Sequence, residues 1–147
     1  MNIPVKIQEK SNILFAGAGG GFDFLCALPI ALLLIEEGHR VYLASYSFTA
    51  LQMVKNARYL TDKIIEITEK SSIEDSEYFP EFFLSQWFKE KKGMSMPVYC
   101  FPTTGIKSLR KAYIFLKESL NLDCLFIVDG GVDGIFRGDE FEMGTPS

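Results

Sequence analysis

Apolar residues in this chain come in short dense runs, each closed by glycine, proline or a polar cluster. The run Ile13, Leu14, Phe15, Ala16 is continuous and stops at glycines, as a parallel strand buried on both faces would. Residues 24–37 read as a strongly apolar helix closed by Gly38. Pro29 falls inside it and should either kink it or move its start towards Leu28. A second strand is expected at 41–44, then a helix over 49–60 capped by Thr49. Residues 63–67 alternate and read as a third strand, and the polar stretch 69–77 as a surface connection. The segment 80–92 opens with proline and ends before Gly93, the asymmetry of a helix. A fourth strand at 98–101, a helix at 107–120 and a fifth strand at 124–128 complete the series. Strands and helices alternate throughout. That predicts an α/β fold of three layers, with a mostly parallel sheet of about five strands.

The 147 residues are one domain's worth of chain, and 48% hydrophobic content is enough for a sizeable core. Low charge and abundant aromatics exclude a disordered polymer. A net charge of −4 argues against nucleic-acid backbones and anionic membranes as partners. Cys26, Cys100 and Cys124 lie in apolar surroundings with no CxxC pairing, so they read as buried thiols in a reducing cytoplasm. The long apolar stretch 13–35 superficially resembles a signal anchor, but Gly17, Gly19, Gly20, Gly21 and Asp23 break it. An aspartate in mid-bilayer costs ~2.5–3.5 kcal/mol on insertion scales. The uninterrupted part, 24–35, falls short of the ~20 residues that a spanning helix needs.

Glycine marks where function should lie. Apart from Gly38 and Gly93 at helix ends, the glycines follow the first, fourth and fifth predicted strands. In open α/β sheets that carboxyl edge is where ligands bind. Gly17, Gly19, Gly20 and Gly21 stand between a strand and a helix, a setting whose backbone amides form a nest for phosphate or carboxylate. The segment begins like a dinucleotide fingerprint, but Phe22 takes the third glycine's place and no Gly-Lys-Ser/Thr follows. Asp23 would repel a bare phosphate unless a metal or amine intervenes; otherwise it caps the helix. The second predicted strand is followed by Ser45, Tyr46 and Ser47, without the acid expected of a ribose ligand.

Two further segments carry candidate chemistry. Thr103, Thr104 and Gly105 open a helix and are similar to the phosphate loop of phosphoribosyltransferases, although Cys100 and Phe101 replace the paired acids of those enzymes. A threonine helix cap explains the same letters. Asp129, Gly130, Gly131, Asp133 and Gly134 follow the fifth strand, and their carboxylates are hard oxygen ligands for Mg²⁺, Ca²⁺, a hydroxyl or an amine. The alternative is an acidic solvated turn. If the sheet joins the first and fifth loops, Asp23, Asp129 and Asp133 share one metal or ribose. His39 enters the second strand from the opposite edge and reads as a turn residue. Trp87, with Phe82, Phe83 and Phe88, fits core packing or an interface. The last residues, from Gly144 to Ser147, look like a helix beginning, which suggests the front part of a larger unit or a fold completed by a second chain.

The two glycine-acid segments together resemble the domain-of-unknown-function family 1152. The likeness rests on Gly19, Gly20, Gly21, Phe22 and Asp23, on Ala27, Leu28 and Pro29, and on the segment from Val128 to Asp133. Phe22 departs from the tighter glycine-aspartate run of that family. The resemblance spans the chain from about Asn12 to Ser147. It implies one Rossmann-like α/β domain over 1–147, the N-terminal part of a unit roughly twice as long, and no defined activity.

The expectation is therefore a phosphorylated small molecule or nucleotide bound at the carboxyl edge. Gly17, Gly19, Gly20 and Gly21 would hold the anion. Asp23, Asp129 and Asp133 would take Mg²⁺ or hydroxyls, and Thr103, Thr104, Gly105, Gly130 and Gly131 would add contacts. Were there catalysis, metal-assisted transfer or hydrolysis suits a carboxylate-rich, histidine-poor edge. The alternatives are a non-catalytic sensor or assembly domain, working as a homo-oligomer or with a second chain, and a phosphoribosyltransferase-like enzyme.

Overall fold

The chain's most apolar run becomes the axis of the sheet. The computed structural model describes residues 10–74 and 78–130. In it β1 (Asn12–Gly17) is buried on both faces: Ile13 and Phe15 point into one hydrophobic cluster, Leu14 and Ala16 into another. A short 3-10 turn, Asp23–Ala27, then leads into α1 (Leu28–Glu36). Pro29 sits in the first turn of α1, where its missing N–H would have no helical partner anyway. The helix thus starts where the proline points, at Leu28. It ends in a Schellman motif. The Gly38 amide donates to the Ile35 carbonyl at 3.0 Å, the His39 amide to that of Leu34 at 2.9 Å, and Gly38 holds φ at +90°.

β2 (Arg40–Tyr46) runs parallel to β1. The helix expected over 49–60 does not form. One 3-10 turn, Leu51–Met53, is followed by β3 (Arg58–Thr61), which pairs antiparallel with β4 (Ile64–Ile67). Local chemistry explains the difference. Asn56 adopts φ of +57°, which breaks a helix, and the Thr61 hydroxyl accepts the Lys63 amide at 3.1 Å to close the hairpin turn. Arg58 and Glu66 face each other across the hairpin with a 2.6 Å ion pair. Thr49, expected to cap a helix, turns its hydroxyl to the core instead.

α2 (Pro80–Trp87) widens into a π-helical turn, Phe88–Lys92, and stops at Gly93 in the left-handed region, as the Pro/Gly spacing predicts. β5 (Val98–Phe101), α3 (Ile106–Ser119) and β6 (Cys124–Val128) follow within a residue or two of their expected positions. The six strands form one sheet in the order β3-β4-β5-β2-β1-β6. The block β5-β2-β1-β6 is parallel, while β3 and β4 are antiparallel. The result is an α/β fold on a mixed, mostly parallel sheet. It has one strand more than the sequence implies, because part of an expected helix is a hairpin strand.

Residues of α1 and α2 pack with Phe15, Leu43, Ile65 and Val98 in one cluster. Residues of α3 pack with Leu14, Ala44, Tyr99 and Phe101 in the other. β6 is covered unevenly. Phe126 stacks on Phe15 at 5.2 Å, whereas Leu125 and Ile127, which pair with Leu14 and Ala16 and so share the α3 face, remain exposed. No helix among the described residues is long and apolar enough to cross a membrane.

The α3-side cluster has a readable pH signature. Burial pushes the Tyr99 and Tyr113 phenols up to about 12, with the nearby Glu66 charge adding to the effect on Tyr99. The folded state therefore holds these protons more tightly than the unfolded chain does. The stability they contribute is complete below about pH 10 and is lost as pH rises through 12. A tyrosinate absorbance titration should show at least two late phenols, and Tyr99→Phe should flatten the alkaline loss of stability. Ionisation of every tyrosine near pH 10 would contradict this packing.

Candidate functional site

The order of the parallel strands sets the site. The chain steps outward from β1 to β2 to β5, then returns to the far side of β1 to place β6. The direction of travel reverses between β1 and β6, and such reversals open a crevice at the carboxyl ends of the strands. Gly17 ends β1 at that point, and Asp129 and Gly130 leave β6 beside it. The Ala18 amide donates to the Val128 carbonyl at 2.8 Å and carries the ladder one step past the strand end.

Asp23 joins the two loops. One carboxylate oxygen accepts the Gly19 amide at 2.8 Å and the other accepts the Gly130 amide at 3.4 Å. The loop after β1 thus meets Gly130, at the start of the last glycine segment, with Asp23 as the bridge. Asp23 is not a helix cap: the 3-10 turn that it opens has no side-chain cap. Its role also limits the chemistry nearby. The Gly19 amide, an expected phosphate donor, already serves a carboxylate. Both Asp23 oxygens face amide donors, a poor arrangement for binding a cation directly. Among the described residues no group of three or more His, Cys, Asp or Glu gathers that could hold a metal ion. Gly131 and Asp133 lie outside the described residues.

Close packing dictates the glycine at position 20. Gly20 has φ of +93°, and a Cβ there would lie 2.8 Å from the Tyr46 carbonyl oxygen and 2.8 Å from the Phe48 ring. Gly130 is as tightly placed, since its Cβ would fall 2.1 Å from the Cys26 sulfur. The loop after β1 is therefore pressed onto the end of β2, with Phe48 lying over it. Phe48 and Phe22 stay exposed, at 56% and 58%. Phe22 meets Tyr78 edge-on at 5.6 Å, and the Tyr78 hydroxyl lies close to Gly21. Burial, and then the Glu81 charge, push the Tyr78 phenol up.

The acid missing after β2 in the sequence arrives from another element. Glu81, wholly buried in the first turn of α2, accepts the Ser45 hydroxyl at 2.8 Å and the Thr49 hydroxyl at 3.0 Å. The Ser47 hydroxyl accepts the Thr49 amide at 3.1 Å. Glu81 shapes the β2 loop from beneath rather than facing solvent. Burial first, and then Glu81, hold the Cys100 thiol well above its usual range, so it stays protonated in the core.

Thr103, Thr104 and Gly105 occupy the same edge, beyond β2. Neither threonine caps α3, because Gly105 takes the cap position without a side-chain bond. Instead Thr104 is clasped by Tyr46: its amide donates to the Tyr46 hydroxyl at 2.9 Å, and its carbonyl accepts that hydroxyl at 3.2 Å. His39 sits on the opposite edge, where its Nδ1 accepts the Ser11 amide at 3.2 Å. Trp87 packs edge-on against Phe88. Phe48, Tyr78 and Glu81 were not singled out in the sequence, and Tyr46 was noted only as standing where an acid is missing. The one usable signal was that Tyr46 and Phe48 directly follow the apolar core of the second strand.

Comparison with family models, with curated proteins and with solved structures returns no match to this chain.

Asp23→Ala should lower stability by about 1–3 kcal/mol, because it strips a charged acceptor from two backbone amides. Asp23→Asn, which keeps an acceptor oxygen, should lose less. Gly20→Ala should cost more than about 1 kcal/mol through its positive φ and its contact with Tyr46. Urea denaturation at neutral pH measures all three. Unchanged midpoints would mean that Asp23 does not hold the loops together.

Proposed function

We propose that the chain is a three-layer, Rossmann-like cytoplasmic protein that binds a phosphorylated small molecule or nucleotide where the β1 and β6 loops meet. The observation that carries this reading is the Asp23 bridge between Gly19 and Gly130 at the reversal of strand order. It ties the glycine-rich loop after β1 to Gly130, just past β6, in the place where such sheets take ligands. The motif likeness to family 1152 agrees with this reading, and so do three free cysteines.

Charge sets the orientation of the ligand. Asp23 repels a bare phosphate, so the phosphate faces the backbone of Gly20 and Gly21 while a ligand hydroxyl faces Asp23 and Asp129. A planar ring rests on the exposed faces of Phe48 and Phe22. We assign the phosphate to the first loop rather than to Thr103, Thr104 and Gly105, because Tyr46 already engages the Thr104 amide. Binding without chemistry suits this edge best: the Cys100 thiol is buried and protonated, Glu81 is enclosed, and His39 lies across the sheet.

Thermal shift and calorimetry with ribonucleotides and sugar phosphates, each with and without Mg²⁺, test the reading. A ligand at a hundredfold its dissociation constant stabilises the fold by about 2.7 kcal/mol. Phe48→Ala, at an exposed ring, should weaken a nucleotide by about 1–3 kcal/mol if the base stacks there. Absence of any shift across the panel would overturn the proposal. A shift that needs Mg²⁺ would instead move the phosphate onto a metal held by the carboxylates.

A further inference from the structure

Three aromatic rings stand around the loop that leaves β1. Phe22 and Phe48 each present more than half of their surface to solvent. The Phe22 and Tyr78 rings meet at 70°, so they form a corner and not a flat stack. Gly21 lies between that corner and Phe48. A Cβ on Gly21 would stand 3.6 Å from the Tyr78 hydroxyl and 3.7 Å from the Phe48 ring. Glycine at this position leaves the space between the two side chains to a ligand.

Two carboxylates, carried by different elements, set the field at this corner. Asp23 directly follows Phe22 and takes both of its hydrogen bonds from neutral backbone amides, which leave its charge uncancelled. Glu81 takes its two from the neutral hydroxyls of Ser45 and Thr49, and its charge reaches the Tyr78 phenol. Burial holds that phenol above its usual range, so at neutral pH Tyr78 offers an uncharged ring. The face of an aromatic ring is itself negative and its edge positive. Ring faces and carboxylates therefore act in the same direction. A neutral base gains only stacking on Phe22 and Phe48, whereas a cation also gains attraction to the ring faces and to the acids.

We propose that the ring resting on Phe22 and Phe48 is positively charged, and that the ligand is a nucleotide with a cationic heterocycle, such as a pyridinium or an N-alkylated purine. This rests on the reading of the edge as a phosphate site and narrows it to a substrate class. Phosphate and ring then separate by charge. The anion lies against the backbone of Gly20 and Gly21, and the cation against the aromatic faces next to Asp23. A zwitterion carries its own compensating charge, so an edge that bears an acid can still hold a phosphate compound.

Calorimetry on the whole 147-residue protein compares nicotinamide mononucleotide, whose pyridinium is cationic, with its reduced form, whose ring is neutral. Guanosine monophosphate and its ring-methylated cation make a second such pair. In the pair that binds, the cationic member should be favoured at least about fivefold. The preference should shrink with added salt and in Asp23→Asn. Phe22→Leu/Phe48→Leu keeps apolar surface but removes the ring faces, and should bring the preference below about twofold. Both positions are exposed, and unchanged thermal midpoints would show that the variant folds. Equal affinity within the pair that binds overturns the proposal and leaves the phosphate site standing. A preference that survives the double leucine variant also overturns it, because the cation then lies elsewhere. Binding by neither pair overturns it too, and the wider panel of ribonucleotides and sugar phosphates then decides separately whether this edge takes phosphate at all.

Discussion

The double burial of β1 governs this molecule. The strand has a neighbour on each side and a hydrophobic cluster on each face, so none of its backbone groups can turn to water. A buried amide or carbonyl left without a partner costs about 1–3 kcal/mol, and each large apolar side chain buried contributes about 1.5–3 kcal/mol. Ile13, Leu14 and Phe15 therefore fix the register of β2 and β6 together. The strand can leave the sheet only at its end, and there Gly17 releases it between two other chain segments. The location of the candidate site follows from the core rather than from the loops themselves.

At that exit Asp23 takes the place that a bound anion would otherwise fill. Its carboxylate draws amides from both loops, which explains how an acid can sit within a glycine-rich turn without disrupting it. Phe22 is part of the same adjustment. In a dinucleotide fingerprint the third glycine lets helix and strand approach closely. Here a phenylalanine occupies that position, the chain makes a 3-10 turn before α1, and the ring projects outward to meet Tyr78. A ligand at this edge meets aromatic surface and a carboxylate, a different recognition problem from a bare phosphate cradle.

Much of the architecture was legible in the sequence because it depends on local chemistry. Continuous apolar runs gave β1, β5 and β6, and the pairing of an early proline with a late glycine bounded α1 and α2. The meeting of Asp23 with Gly130 could be posed from the sequence only as a condition, because it depends on β6 lying beside β1 and the alternation of strands and helices does not set that order. The 49–60 segment was misleading because Thr49 offers a helix cap, while the segment's fate is decided by Asn56 and by pairing with a strand further along the chain. The Glu81 network was invisible for a related reason. Ser45, Thr49 and Glu81 look unremarkable separately, and only the packing of α2 beneath β2 makes them one unit. Thr104 shows the same limit, as its partner Tyr46 lies far away in sequence.

Tyr46 has a mechanical consequence. Its carbonyl oxygen lies where a side chain on Gly20 would have to go, and its hydroxyl grips the backbone at the head of α3. One residue at the tip of β2 is thus wedged against the segment leaving β1 and pinned to the segment leaving β5. Backbone and side chain of a single tyrosine thus anchor both neighbouring loops to one strand tip.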